Sequence, residues 1–188
     1  MGSSSSRLNI LETASKLFQV QGYHATGLNQ IIKESGSPKG SIYYHFPEGK
    51  EQIALEAVEY TGKIVREQLN KTLTASADPV ESLQSVVQHL VDHLGHPEDV
   101  EGVPIGLIAL ETCSMSEKLR KACSEAFTSW QRLFADKLIE NGFKQDRARE
   151  LGILLQCTLE GALTVSVTQD NSEPLRILKE QIPLIIKP

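Results

Sequence analysis

Apolar residues recur along most of this chain at three- and four-residue spacing, the period of a helix face. Ile10, Leu11, Ala14, Leu17 and Phe18 form one stripe and predict a helix over residues 7–21, with Gly22 as its stop. Leu28, Ile31 and Ile32 predict a second, short helix with Thr26 as its cap. Ser35-Gly36-Ser37 then breaks the pattern. Ser37 and Pro38 fit the cap and first residue of a third helix, running to about Tyr44 and anchored inward by Ile42 and then Phe46. A long amphipathic stretch predicts a helix over residues 50–74. Asp78-Pro79 opens another that runs to Leu94, with Gly95 as stop. The small apolar run over residues 102–111 predicts a short buried helix after Pro104. Ser114-x-x-Glu117 fits a capping box for a helix reaching Asn141, with Gly142 as stop. Residues 146–168 and 173–186 predict the last two helices, the final one bent or ended near Pro183. No stretch alternates with the period of a strand, and no internal repeat is present. The predicted class is all-α. Residues 1–6 are expected to be a disordered tail, residues 7–50 a three-helix head built on a helix–turn–helix, and residues 51–188 a larger helical body.

Composition narrows this further. The chain has 188 residues, 40% of them apolar, enough for a real core. Its net charge of −5 argues against a surface coated in cation for general nucleic-acid binding. The charge is uneven, however. Residues 1–50 hold five Lys/Arg against three Glu, and the remaining 138 hold fourteen against twenty-one acidic residues. A mildly basic head on an acidic body suits a protein that meets DNA at one end only. Cys113, Cys123 and Cys157 are odd in number and contain no Cys-x-x-Cys pair, so neither a disulfide framework nor a zinc site is expected, and a reducing cytoplasm is the default. No signal peptide and no apolar run of membrane length stand out. There is no Gly-x-Ser-x-Gly elbow, phosphate loop or dinucleotide fingerprint, so no enzyme activity and no cofactor is expected.

The third helix carries the chemistry. It is too short and too polar to be a good core element. It sets Lys39, Gly40, Ser41, Tyr43, Tyr44 and His45 on and around its outer side. Lys, Ser and Tyr can bond phosphates or base edges, and Gly40 lets the backbone approach a duplex closely. The stretch KGSIYYHF after a helix and turn closely resembles the TetR family of bacterial transcriptional repressors. The longer run GYHATGLNQIIKESGSPKGSIYYHFPEGKEQIALEAV resembles its LmrA/YxaF-type branch, where most other members have one residue fewer between Phe46 and Lys50. The likeness is dense over residues 8–58 and thins through DVEGVPIGLIALET and Glu160-Gly161. Ser41 stands where threonine is commoner in the family, and Pro38 where serine is, which removes one hydroxyl contact.

The resemblance implies a homodimer whose two heads bind a pseudo-palindromic double-stranded DNA operator. It implies phosphate contacts from Thr26, Asn29 and Lys50 beside the recognition residues Lys39, Gly40, Ser41, Tyr43, Tyr44 and His45. It implies an effector cavity in the body for a small hydrophobic or aromatic molecule, with Leu110, Cys113, Phe127, Trp130, Phe134 and Leu159 as candidate lining; most apolar residues there are nevertheless core. Trp130 is the first of these, since an indole can stack on a flat ligand and orient it through its N–H. Branch relatives answer to flat aromatics such as flavonoids. The last two helices are expected to pair with those of a second copy, through Leu151, Leu154, Leu155, Thr158, Gly161, Ala162 and Val165, or else to pack within one subunit. Two rival functions stay open: an activator of the same fold, and a small-molecule binder with no DNA role. His89, His93 and His96 lie near one another in sequence. The buried side of that helix is marked by Val86, Val87, Leu90, Val91 and Leu94, so His89 is expected to project into solvent and His93 to lie at the border, and no metal is expected.

Overall fold

A computed structural model describes residues 2–94 and 105–187, and the side chains from residue 6 onward within those spans. The described residues form α1 (Gly2–Ala25), α2 (Leu28–Glu34), α3 (Lys39–His45), α4 (Lys50–Thr74), α5 (Pro79–Asp92), α6 (Ile105–Thr112), α7 (Glu117–Glu140), α8 (Gln145–Gln169) and α9 (Glu173–Ile185), with no strand among them. The fold class is therefore all-α, as the periodicity predicts.

The helices fall into two compact units. One takes in the chain up to Ile64 together with α6 and the start of α7, to Ala126. Its core is the α1 stripe Ile10, Ala14 and Phe18 packed with Ile31, Ile42, Phe46, Ile53 and Val58, all sealed from solvent. Ile105, Ile108 and Leu119 are buried in the same unit. This grouping does not follow the predicted division at residue 50, because α6 packs against α1. The second unit holds the chain from Val65 through α5 and, beyond Ala126, the rest of α7 with α8 and α9. Leu83, Val87, Phe134, Leu138, Leu151, Leu155, Leu175 and Ile182 are its core. Lys179 ties α9 to α5, donating to Gln88 Oε1 at 2.7 Å while its carbonyl accepts from Gln84 Nε2 at 3.1 Å.

α8 meets α7 at Gly152, where a Cβ would lie 2.5 Å from the Gln131 carbonyl oxygen. Backbone atoms cannot step aside cheaply. Gly152→Ala is therefore expected to cost about 1–3 kcal/mol of stability, the usual range for overpacking, seen as a lower urea midpoint.

Several local expectations change. The serine run expected as a tail belongs to α1, which begins at Gly2. Serine is only a middling helix former, but nothing there breaks the helix that follows. Thr26 does not cap α2; Gly27 holds that position with no side-chain bond. Pro38, not Ser37, is the cap residue of α3. Asp78 does cap α5, accepting from Val80 N at 2.7 Å. Ser116, rather than Ser114, caps α7 by accepting from Leu119 N at 3.2 Å. α5 ends at Asp92, and the proposed stop Gly95 and the start of the apolar stretch, residues 102–104, lie outside the described residues.

α8 also departs from expectation, because it is long and apolar enough to cross a membrane by length and composition. The reason is visible in its exposure. Leu151 and Leu155 are buried, while Ile153, Leu154 and Val165 are exposed. A helix with apolar residues both in the core and at the surface passes the same test as a membrane span. Its first turns carry Asp146, Arg147, Arg149 and Glu150.

Candidate nucleic-acid interface

Two short helices and a tight turn make the candidate interface. α2 is held by Ile31 and α3 by Ile42, each fully buried, and each offers only one such anchor. Between them the chain reverses at Gly36, whose φ of +62° falls in the left-handed region. With so little of α3 committed to the core, most of it faces outward. Lys39 and Gly40 are exposed, and Ser41 and His45 are half-buried. Tyr43 is 52% exposed and Tyr44 78%, so neither is a packing residue. His45 lies edge-on to Tyr44, with ring centroids 4.9 Å apart. Apart from its chain neighbours and its own helix backbone, no atom lies within 4 Å of where a Gly40 Cβ would stand, so the backbone there is open to a close-approaching surface. Asn29, on the first turn of α2, is exposed as well. The result is one outward set with a cation, a hydroxyl, two phenols and an imidazole on a helix narrow enough for a major groove.

The frame beneath is polar and tightly bonded. The Arg7 guanidinium pairs with Glu56 and lies 5.4 Å from the centre of the Phe46 ring, so it braces the end of α3 instead of standing free. Thr26 is wholly buried: its hydroxyl donates to the Gly22 carbonyl at 2.7 Å and accepts from Gln21 Nε2 at 3.2 Å. Lys50 donates to the carbonyls of Tyr23 at 2.9 Å and Thr26 at 3.0 Å, and its ammonium lies 4.1 Å from the Tyr23 ring centre. Burial pushes the Lys50 ammonium below its ordinary pKa, and the Glu111 carboxylate opposes that shift. Thr26 and Lys50, expected as phosphate contacts, bond main-chain groups of the link between α1 and α2. The Tyr23 carbonyl also takes the Thr26 N–H at 3.3 Å, so the link is bonded from both main chain and side chains where the chain leaves the helix.

Sequence reasoning grouped Glu111 with the apolar residues of the body. It lies instead in the head unit, with Tyr23 and His24 donating their backbone N–H groups to its Oε2. The only signal available was a carboxylate isolated in the otherwise apolar run GLIALET.

The effector candidates divide. Phe127 and Trp130 meet edge to face at 5.5 Å, with Trp130 buried. Phe134 and Leu159 lie together at a cavity among α5, α7, α8 and α9, walled also by Leu83, Val87, Leu155 and Ile182. That cavity is about 10 Å3, room for one water and no aromatic molecule. Leu110 is 86% exposed and cannot line an interior site, a correction that follows from α6 burying Ile105, Ile108 and Thr112 on its other side. Cys113 is half-buried in the same unit as Leu110.

Glu160 is half-buried on α8 and accepts from Gln156 Nε2 at 3.0 Å. Burial raises its pKa, and the Gln156 bond only partly opposes this. A carboxyl raised by folding favours the fold when protonated, fully so below its ordinary value of 4.5, and that benefit is lost as pH rises through the higher folded value. Glu160→Gln is therefore expected to melt above wild type at about pH 7, with the two melting curves converging as the pH falls below the ordinary carboxyl value.

His89 and His93 are half-buried, their rings 4.3 Å apart, with His93 Nδ1 bonded to the His89 carbonyl. This corrects the expectation of open solvent for His89. Burial, then the charge of His93, lowers the His89 pKa. His96 lies outside the described residues. Among the described residues no group of three or more His, Cys, Asp or Glu is placed to hold a metal ion.

Of the residues expected to pair with a second copy, Leu151 and Leu155 are core. Leu154, Gly161 and Val165 are exposed, and Thr158 and Ala162 are half-buried. Ile177 and Leu184 are exposed on α9.

The chain is similar to known proteins along its length. Residues 10–57 match the family described as bacterial regulatory proteins, tetR family, and residues 79–181 match the LmrA/YxaF-like transcriptional regulator C-terminal domain. It is 49% identical over 182 residues to the HTH-type transcriptional regulator YxaF of Bacillus subtilis, covering 97% of this chain and 95% of that one. To the HTH-type transcriptional regulator LmrA of the same organism it is 45% identical, covering 97% of each. Among solved structures, a TetR transcriptional regulator from Chloroflexus aurantiacus aligns with a TM-score of 0.83 at 27% identity, covering 98% of this chain and 95% of that one.

Proposed function

The chain belongs to the TetR family of bacterial transcriptional regulators, in its LmrA/YxaF-like branch, and on that premise we propose that it is a cytoplasmic, dimeric repressor released from its operator by a small planar aromatic molecule. The observation that carries this reading is the outward set on α3. Lys39, Tyr43 and Tyr44 are exposed on a helix whose position is fixed by buried anchors and a bonded frame. Lys39 takes a phosphate, Tyr43 and Tyr44 reach phosphates or base edges, and Ser41 and His45 complete the set, with Asn29 on a neighbouring phosphate. One helix covers only a few base pairs, so two copies bind two half-sites at a fixed helical repeat. The exposed apolar residues Leu154 and Val165 of α8 and Ile177 and Leu184 of α9 support pairing of two copies through these helices.

The effector site belongs to the second unit, with Phe134 and Leu159 on its wall and Trp130 and Phe127 beside it. A pocket for a drug-sized molecule needs roughly 300 Å3 or more, so the effector binds a conformation in which these helices have spread. It acts by preferring that conformation, and about 3 kcal/mol of preference releases the operator more than a hundredfold. A flavonoid is the first effector to try.

The test is equilibrium binding, at stated salt, to duplexes from upstream of its own and adjacent genes, with and without flavonoids and other planar aromatics. Tight binding relieved by one such compound is the expected result. Tight binding that no compound relieves would overturn the effector class, and no specific binding to any operator-length duplex would overturn the DNA role.

A further inference from the structure

Glu111 occupies an unusual place between the two sequence domains. It lies inside the stretch that matches the C-terminal family domain, residues 79–181, yet it packs with the head. Its carboxylate stands against Gly22, where a Cβ would come within 2.7 Å of Oε1 and 2.8 Å of Oε2. At Gly22 the long α1 breaks, with φ +82° and ψ 174°, and the next two N–H groups, of Tyr23 and His24, both point at Glu111 Oε2. These are the donors a new helical turn leaves orphaned, and the carboxylate satisfies them from another element. On the other side of the same link, Lys50 gathers the carbonyls of Tyr23 and Thr26, and its ammonium feels the Glu111 charge. The five residues from Gly22 to Thr26 are therefore clamped between an anion from α6 and a cation from α4. α2 starts at Leu28, two residues further on, so this clamp sets where the helix–turn–helix begins.

We infer that Glu111 is a positioning residue for operator binding: its carboxylate, carried by α6, holds the α1–α2 link and so fixes the orientation of α2 and α3. The inference rests on the DNA-binding reading above and deepens it. A shift of α6 by one hydrogen-bond length takes the carboxylate off both amides at once, and Gly22 then has the freedom to let the link relax. Two further ties carry the same message. Ser116 donates to Glu51 Oε1 at 2.5 Å, and Lys118 pairs with Glu48 at 2.9 Å, both joining the turn after α6 to the start of α4. The Lys118 pair is exposed on both sides and contributes little. Of these three ties, the one made by Glu111 is the one that ends on main-chain groups of the α1–α2 link.

The experiment compares wild type, Glu111→Gln and Glu111→Ala for operator affinity, thermal midpoint and dimerisation, with hydrogen exchange of the Tyr23 and His24 amides. Gln keeps an oxygen that accepts but loses the charge; Ala loses both. The expected result is operator affinity about tenfold or more weaker in Glu111→Ala. Glu111→Gln should recover most of that loss. Exchange at Tyr23 and His24 should speed up in the Ala variant while amides of α4 keep their protection. Glu111→Ala binding operator like wild type would overturn the inference. So would a loss that Glu111→Gln does not recover while both amides stay protected. If Glu111→Ala does not fold, Glu111→Asp decides instead, because its carboxylate is one methylene too short to reach both amides: faster exchange at Tyr23 and His24 with weaker operator binding supports the clamp, and wild-type exchange with wild-type affinity refutes it. Wild type failing to bind any operator is a different result, and it strikes the DNA-binding reading itself.

Discussion

Tyr43→Ala is expected to weaken specific operator binding by at least an order of magnitude while leaving the fold and the dimer intact. Tyr43 is 52% exposed and belongs to a helix anchored by Ile42 and Phe46, so truncating it removes no core contact. A good base or phosphate contact is worth about 1–3 kcal/mol, and a dimer loses it twice, so affinity should fall by roughly thirtyfold to ten-thousandfold. Lys39→Ala should behave differently. A lysine on a phosphate carries no sequence information, so its loss weakens binding to every duplex alike and lowers the salt slope by about one per subunit. Titrations of both variants against operator and random duplex, at several salt concentrations, separate the two roles. Operator affinity that survives the double substitution would show that α3 is not the reading element.

Phe46→Ala should have the largest effect on stability. Phe46 is fully buried, follows α3 directly, and supports the Arg7 guanidinium over its ring. Its N–H bonds the Ile42 carbonyl at 2.7 Å and its carbonyl accepts from Gly49 N at 2.9 Å, so the buried ring sits where α3 ends and the turn into α4 begins. Removing a buried phenyl ring costs about 3–5 kcal/mol. Against a typical total of about 5–15 kcal/mol, that is enough to melt the head near growth temperature. Urea unfolding followed by circular dichroism measures the loss. A change below about 1 kcal/mol would mean that the head does not depend on this anchor.

The fold was largely legible because its helices are amphipathic and punctuated. The stripe Ile10, Ala14, Phe18 is buried as its spacing requires, and Gly22 breaks the helix where a glycine stop was expected. Asp78 caps α5 because Asp-Pro is a strong local signal, whereas Ser114 and Ser116 are two equal candidates for one cap and only packing chooses between them. The outward residues of α3 were legible for the same reason. Too few apolar positions exist to turn Tyr43 and Tyr44 inward. What the sequence concealed was partnership across long separations. Thr26 and Lys50 look like free polar residues, yet each satisfies main-chain groups of the α1–α2 link. Glu111 reaches that link from nearly ninety positions away, and no period or local motif encodes such a contact. The effector wall was the least legible part. Apolar residues that line a cavity and those that fill a core share one composition, and of the expected set Phe134 and Leu159 meet at the cavity among α5, α7, α8 and α9.

The central claim is that two copies of α3 occupy successive major grooves on one face of a duplex. Methylation interference on the region upstream of its own gene tests this most directly, because guanine N7 lies in the major groove. The account predicts two symmetric clusters of interfering guanines about 34 Å apart, or a multiple of that, which Tyr43→Ala erases. A single cluster, or a protected region in which N7 methylation has no effect, would contradict it.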